Sequence, residues 1–186
     1  NSTNNNIEID ETDNLRIIDV EQSATGNIDI AAGGGIKVLS ILENSNSDGV
    51  HIDGSTANDD TIQLFAEHGD LVIEQEIINS STGADSRIKL LAAGAESDTI
   101  VRHNVTAAGG NIEILADYDV LQQEYDYTAD STENATDQRI VANTGGVLIV
   151  AGDDVVVRDI EAHANTIKCA DVKSRVPESD RDMFGI

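Results

Sequence analysis

One short phrase recurs along the chain: apolar, any, apolar, apolar, alanine. It stands at Ile28-Asp29-Ile30-Ala31-Ala32, Ile62-Gln63-Leu64-Phe65-Ala66, Ile88-Lys89-Leu90-Leu91-Ala92, Ile112-Glu113-Ile114-Leu115-Ala116 and Val147-Leu148-Ile149-Val150-Ala151. A weaker copy ends in Asp, Leu15-Arg16-Ile17-Ile18-Asp19, and a partial one is Val50-His51-Ile52-Asp53-Gly54. The five full copies start 34, 26, 24 and 35 residues apart. A common phrase at unequal intervals describes one structural unit carrying loops of different length.

The phrase has a direct physical reading. Apolar-any-apolar is period two, so both apolar side chains reach one face of a strand. The apolar-Ala pair that follows is expected to break the alternation at a corner, with small Ala where space is tight. A second strand is expected in several units, at Ile36–Ile41, Leu71–Ile77 and Val155–Ile160. Between strands lie Gly33-Gly34-Gly35, Gly109-Gly110-Asn111, Gly145-Gly146 and Gly152-Asp153-Asp154. Gly and Asn supply positive φ, and Asp closes turns through its own side chain. The one Pro, Pro177, lies near the end, which suits strands hydrogen-bonded on both sides. No window shows a 3.6-residue period with caps, so the chain reads as all-β.

Many short strands make either a solenoid or a sandwich. The copied phrase, the fixed Ala and an aromatic content of 3% without Trp favour narrow coils built on aliphatic ladders. The expectation is a right-handed parallel β-helix of about seven irregular coils, with a β-sandwich or jelly roll as the alternative. At about 4.8 Å per coil the body would be roughly 30–40 Å long. The expected organisation is a polar N-terminal segment (1–6), one solenoid domain (7–172) and a tail or cap (173–186).

Charge excludes some partners. Of the 186 residues, 35 are acidic and 11 basic, a formal net charge of −24. Phosphate is repelled by such a chain, so nucleic acid is not an expected partner. Anionic lipid is disfavoured for the same reason, and no apolar run is long enough for membrane insertion. The single Cys, Cys169, allows no internal disulfide and reads as a buried aliphatic substitute. A start at Asn1 without an apolar leader reads as a mature chain or an excised piece.

The stretches Gly109-Gly110-Asn111-Ile112-Glu113-Ile114-Leu115-Ala116-Asp117-Tyr118-Asp119-Val120 and Gly145-Gly146-Val147-Leu148-Ile149-Val150-Ala151-Gly152-Asp153-Asp154-Val155 resemble the repeats of filamentous-haemagglutinin-like exoproteins and related giant bacterial surface adhesins. The resemblance spans residues 26–160. It implies a β-helical shaft segment, secreted or at the cell surface, whose partners are a cell-surface receptor or glycan.

Candidate sites fall at turns and loops. Paired hard oxygens suit Ca²⁺, which takes six to eight oxygen ligands. Candidate ligands are Asn44, Asn46 and Asp48, which alternate ahead of Gly49 like the front half of an EF-hand loop, and Asp117, Asp119, Asp153 and Asp154. Against that stands the plain reading of an Asx-rich, solvated acidic surface. Tyr125 and Tyr127 share a face of the polar segment 121–138 and are candidates for partner recognition, since Tyr offers rigid amphipathic contact area. Met183, Phe184 and Ile186 at the tail could cap the open stack or join the next subunit end to end. Neither a catalytic residue nor an organic cofactor is expected; a polysaccharide-active enzyme on a β-helix is the competing class, with Asp117, Asp119, Asp153 and Asp154 as its carboxylates. The histidines lack metal-ligand spacing and read as exposed turn residues. Asn-x-Ser/Thr sequons at Asn1, Asn79, Asn104 and Asn134 fit an exported chain.

Overall fold

The computed structural model describes residues 6–23, 25–39, 49–52, 57–123, 138–164 and 166–171. The first coil holds β1 (Ile7–Glu11), β2 (Leu15–Ile17) and β3 (Asp19–Gln22). The second holds β4 (Ile28–Ala32), β5 (Ile36–Val38) and β6 (Gly49–Ile52); the third β7 (Thr61–Ala66), β8 (Leu71–Ile73) and β9 (Glu76–Asn79). The fourth holds β10 (Arg87–Ala92), β11 (Thr99–Val101) and β12 (Val105–Ala107); the fifth β13 (Asn111–Ala116), β14 (Val120–Gln122) and β15 (Ile140–Ala142). The sixth holds β16 (Val147–Ala151), β17 (Val155–Val156) and β18 (Ile160–Ala162), and β19 (Ile167–Asp171) opens a seventh.

Each of the first six coils gives one described strand to each of three sheets. The first sheet runs β1-β4-β7-β10-β13-β16-β19, and the other two take six strands each in the same coil order. Every pairing is parallel and in register; in the first sheet Ile28, Ile62, Ile88, Ile112 and Val147 lie one above another. The fold is therefore the expected parallel β-helix. Register-equivalent residues Ile7, Ile28, Ile62, Ile88, Ile112, Val147 and Ile167 advance by 21, 34, 26, 24, 35 and 20 residues. The two longest coils gain their length between the second and third sheets, β5 to β6 and β14 to β15, so insertion uses one corner of the coil.

The core is a set of aliphatic ladders. Ile30, Leu64, Leu90, Ile114 and Ile149 stack in register and are fully buried. Ala32, Ala66, Ala92, Ala116 and Ala151 form the next ladder along and are equally enclosed. Ala92→Leu would force extra methylenes between Ala66 and Ala116, and overpacking of this kind costs about 1–3 kcal/mol.

Three sequence readings are corrected by this arrangement. The alternation does not break at Ala: it continues through it, and the fourth residue of the phrase points outward. Burial in β7 and β10 alternates strictly, half-buried then buried, up to Ala66 and Ala92. The expected second strand is in fact two: Leu71–Ile77 divides between β8 and β9, and Val155–Ile160 between β17 and β18, so each of the six complete coils has three described strands. The weaker copy at Leu15 begins β2 of the second sheet, and the partial copy at Val50 lies in β6 of the third; the true first-coil counterpart of the phrase is Ile7-Glu8-Ile9-Asp10-Glu11.

Candidate functional site

The corner between the first and second sheets carries the acidic candidates. The residue just before each second-sheet strand is Asn14, Gly35, Asp70, Asp98, Asp119 and Asp154 in successive coils. At this corner the strand ladder has ended, so a backbone N–H must find another acceptor. A short Asx side chain reaches the equivalent N–H one coil further on. Asn14 Oδ1 accepts from Gly35 N at 2.8 Å, Asp70 Oδ1 from Asp98 N at 3.0 Å, Asp98 Oδ1 from Asp119 N at 3.1 Å and Asp119 Oδ1 from Asp154 N at 2.9 Å. The same device recurs at the other corners: Asn27 Oδ1 accepts from Thr61 N at 2.9 Å, Asn111 Oδ1 from Gly146 N at 2.8 Å and Asn104 Oδ1 from Arg139 N at 2.9 Å.

Asp119 and Asp154 thus share one ladder. Asp117 turns instead to the preceding coil, where its Oδ2 accepts from Gly94 N at 2.8 Å. Asp153 stands beside Tyr118, whose hydroxyl it pushes above its ordinary value, with Asp119 adding to the effect. Among the described residues no three His, Cys, Asp or Glu side chains converge as a metal site would require. Asn44, Asn46 and Asp48 lie outside the described residues.

Electrostatics make the ladder self-opposing. Partial burial raises the Asp98 carboxyl above its ordinary 3.8, the Asp119 N–H pulls the other way, and the carboxylates of Asp70 and Asp119 raise it further. A carboxyl whose folded value is raised binds protons more readily in the fold than in the unfolded chain. Its contribution to stability therefore grows as pH falls through the folded value toward 3.8, and at neutral pH its charge is a cost. Asp98→Asn keeps an Oδ1 acceptor and removes one like charge. It should stabilise the fold by about 0.2–1 kcal/mol, less at high salt, seen as a higher thermal midpoint at pH 7. Loss of stability specific to millimolar Ca²⁺ would instead mark the carboxylate as a cation ligand.

The base of the 121–139 insertion is firmly built. Gln122 occupies a core position of the second sheet, in register with Val101, and is 2% exposed. Its Nε2 donates to Gln138 O at 2.6 Å, while Oε1 accepts from Arg158 N at 2.7 Å and Asp159 N at 3.1 Å. Gln122 and Gln138 flank residues 124–137, so one buried amide clasps the two ends of the insertion. Tyr125 and Tyr127 within it lie outside the described residues, as do Met183, Phe184 and Ile186. Sequence reading missed Gln122; the signal was a Gln where Val101 and Ile73 stand in earlier coils.

Other polar groups prove structural. Asp60 is buried, not solvated: Oδ1 accepts from Gly26 N at 3.1 Å and Oδ2 from Ser81 Oγ at 2.9 Å. Asn79, one of the sequon residues, is 1% exposed and donates to Asp60 O and Arg87 O, so it is closed to glycosylation in the folded chain. Glu74 is paired with Lys37 at 2.8 Å and Arg102 at 3.0 Å across three coils. His51 departs from the exposed-turn expectation: it lies in β6, its side chain 9% exposed, with Nε2 at 3.9 Å from Glu76 Oε1 and no hydrogen-bond partner for Nε2 among the described residues. Cys169 holds the register position of Ile149 but is exposed, because among the described strands β19 is covered on one side only. No protein-family model, curated protein or solved structure matches the chain.

Proposed function

We propose that the chain is a structural, non-catalytic stretch of a secreted or cell-surface adhesin or extracellular fibre. The observation that supports this most directly is the unbroken in-register stacking of seven first-sheet strands around fully buried aliphatic ladders. Among the described strands each coil pairs only with its neighbours, so such a body extends by adding coils and its surface positions repeat along an axis. The likeness of residues 26–160 to haemagglutinin-type repeats points the same way. The insertion at 121–139, whose described ends are tied by Gln122, suits a recognition element for a receptor or glycan. Ca²⁺ belongs to the proposal as an ion held at the acidic turns, with Asp117, Asp119, Asp153 and Asp154 as its candidate ligands.

Native-state digestion with a broad protease, paired with assays on a panel of polysaccharides, tests the reading. The expected result is a protease-resistant fragment spanning the coils and no turnover. Polysaccharide cleavage abolished by Asp117→Asn or Asp154→Asn would replace it with the enzyme reading. A second reading, end-to-end assembly, is favoured by β19, the last of the described strands, where Ile167 is 48% exposed. Fibres in negative stain at micromolar protein would support assembly, and discrete particles at all concentrations would remove it.

A further inference from the structure

The outer face of the first sheet carries a groove that the rod reading does not use. It is an open trough with a volume of about 490 Å³ and crosses β4, β7 and β10. Register builds its floor. Asp29, Gln63 and Lys89 are direct partners on three successive coils, and all three line the groove. A second row, Asn27, Thr61 and Arg87, lies two residues back on the same strands or at their entry, with Asp59 and Asp85 as a wall. Polar groups are therefore presented in two rows, one pair per coil, at about 4.8 Å. That step is close to the length of one pyranose ring.

The chemistry of the rows is mixed. They offer a carboxylate, a carboxamide and an ammonium in one row, and an amide, a hydroxyl and a guanidinium in the other. Three carboxylates face two cations, so the groove is nearly balanced in a chain whose net charge is −24. Arg87 and Lys89 would compete with any metal cation for the carboxylates. The surrounding field repels polyanions. What remains complementary is a neutral ligand rich in hydroxyls, each able to donate and accept. Beside the polar rows runs an apolar one on the same outer face: Ala31, Phe65 and Leu91 are in register and half-buried. A sugar has this same division, hydroxyls at its edge and C–H groups on its face, and an aromatic ring suits the C–H face.

We infer that this groove is a binding site for a neutral oligosaccharide of two or three rings, laid along the stacking axis with hydroxyls toward Asp29, Gln63 and Lys89 and a ring face toward Phe65. The site is independent of whether the chain serves as a rod and of the insertion at 121–139.

Isothermal titration of the full chain with cello-, malto-, laminari-, xylo- and mannohexaose, and with hexagalacturonate as the charged comparison, tests it. At least one neutral member should bind. Gln63→Ala and Asp29→Ala should each weaken that binding about tenfold or more, while Thr106→Ala on the third sheet leaves it unchanged. All three positions are at the surface, and unchanged thermal midpoints verify the fold; Thr61→Ala, in the second row of the groove, provides a further variant if either Ala variant melts early. Failure of every neutral hexaose to bind at millimolar concentration overturns the inference. So does preference for the uronate, or binding that survives both groove substitutions.

Discussion

Leu90→Ala should lower the unfolding free energy by about 2–5 kcal/mol, the cost of removing a buried leucine and leaving its space unfilled. Leu90 is fully enclosed, with Leu64 on one coil and Ile114 on the next at the same register. Neither neighbour can collapse into the gap, because each is held by its own coil's backbone pairing. The measurement is the urea midpoint, with the slope followed as a check that unfolding remains one transition. The matching control is Leu91→Ala. Leu91 is the next residue, yet it faces outward and is half-buried, so its truncation should cost far less. Equal losses at the two positions would contradict the assignment of inner and outer faces in the first sheet.

Gly110→Ala is the second large effect. Gly110 has a φ of +49°, where a Cβ is already strained, and that Cβ would sit inside the carbonyl oxygen of Ser86 on the preceding coil. Ser86 has no freedom to retreat: its N–H donates to Gly83 O, its hydroxyl donates to Ser81 O, and its carbonyl accepts from Asn111 N. Strain at a positive φ alone accounts for about 1–3 kcal/mol, and the backbone collision adds to it. The expected result is a loss above that range, or no folded protein at 37 °C. Gly34→Ala, whose Cβ meets chiefly the Asn14 side chain, should be milder. A Gly110→Ala protein with near-normal stability would mean that the coils separate at this corner more readily than the backbone pairing implies.

Much of the fold is legible in the sequence because the first sheet has the longest strands. Five or six residues suffice to show three inward positions, as Ile88, Leu90 and Ala92 do. The third sheet is harder to read. Its strands run three or four residues, and pairs such as Val105 with Ala107 or Ile140 with Ala142 carry too little period to separate them from loop. Asp60, Asn79 and Gln122 read as surface residues because their type usually is; stacking buries them and supplies partners from other coils. The groove was not legible at all. Asp29, Gln63 and Lys89 lie 34 and 26 residues apart, and only equal register across unequal coils brings them level.

The inter-coil hydrogen bonds point along the stacking axis, and this fixes how the molecule would yield to a pull between its first and last coils. Tension would meet one coil's bonds at a time, so the protein would unspool turn by turn instead of rupturing as a block. Each released turn of 20 to 35 residues would pay out roughly 70–120 Å of slack. A tether built this way absorbs a jolt by lengthening in small instalments, and the turns still wound keep whatever they hold in place.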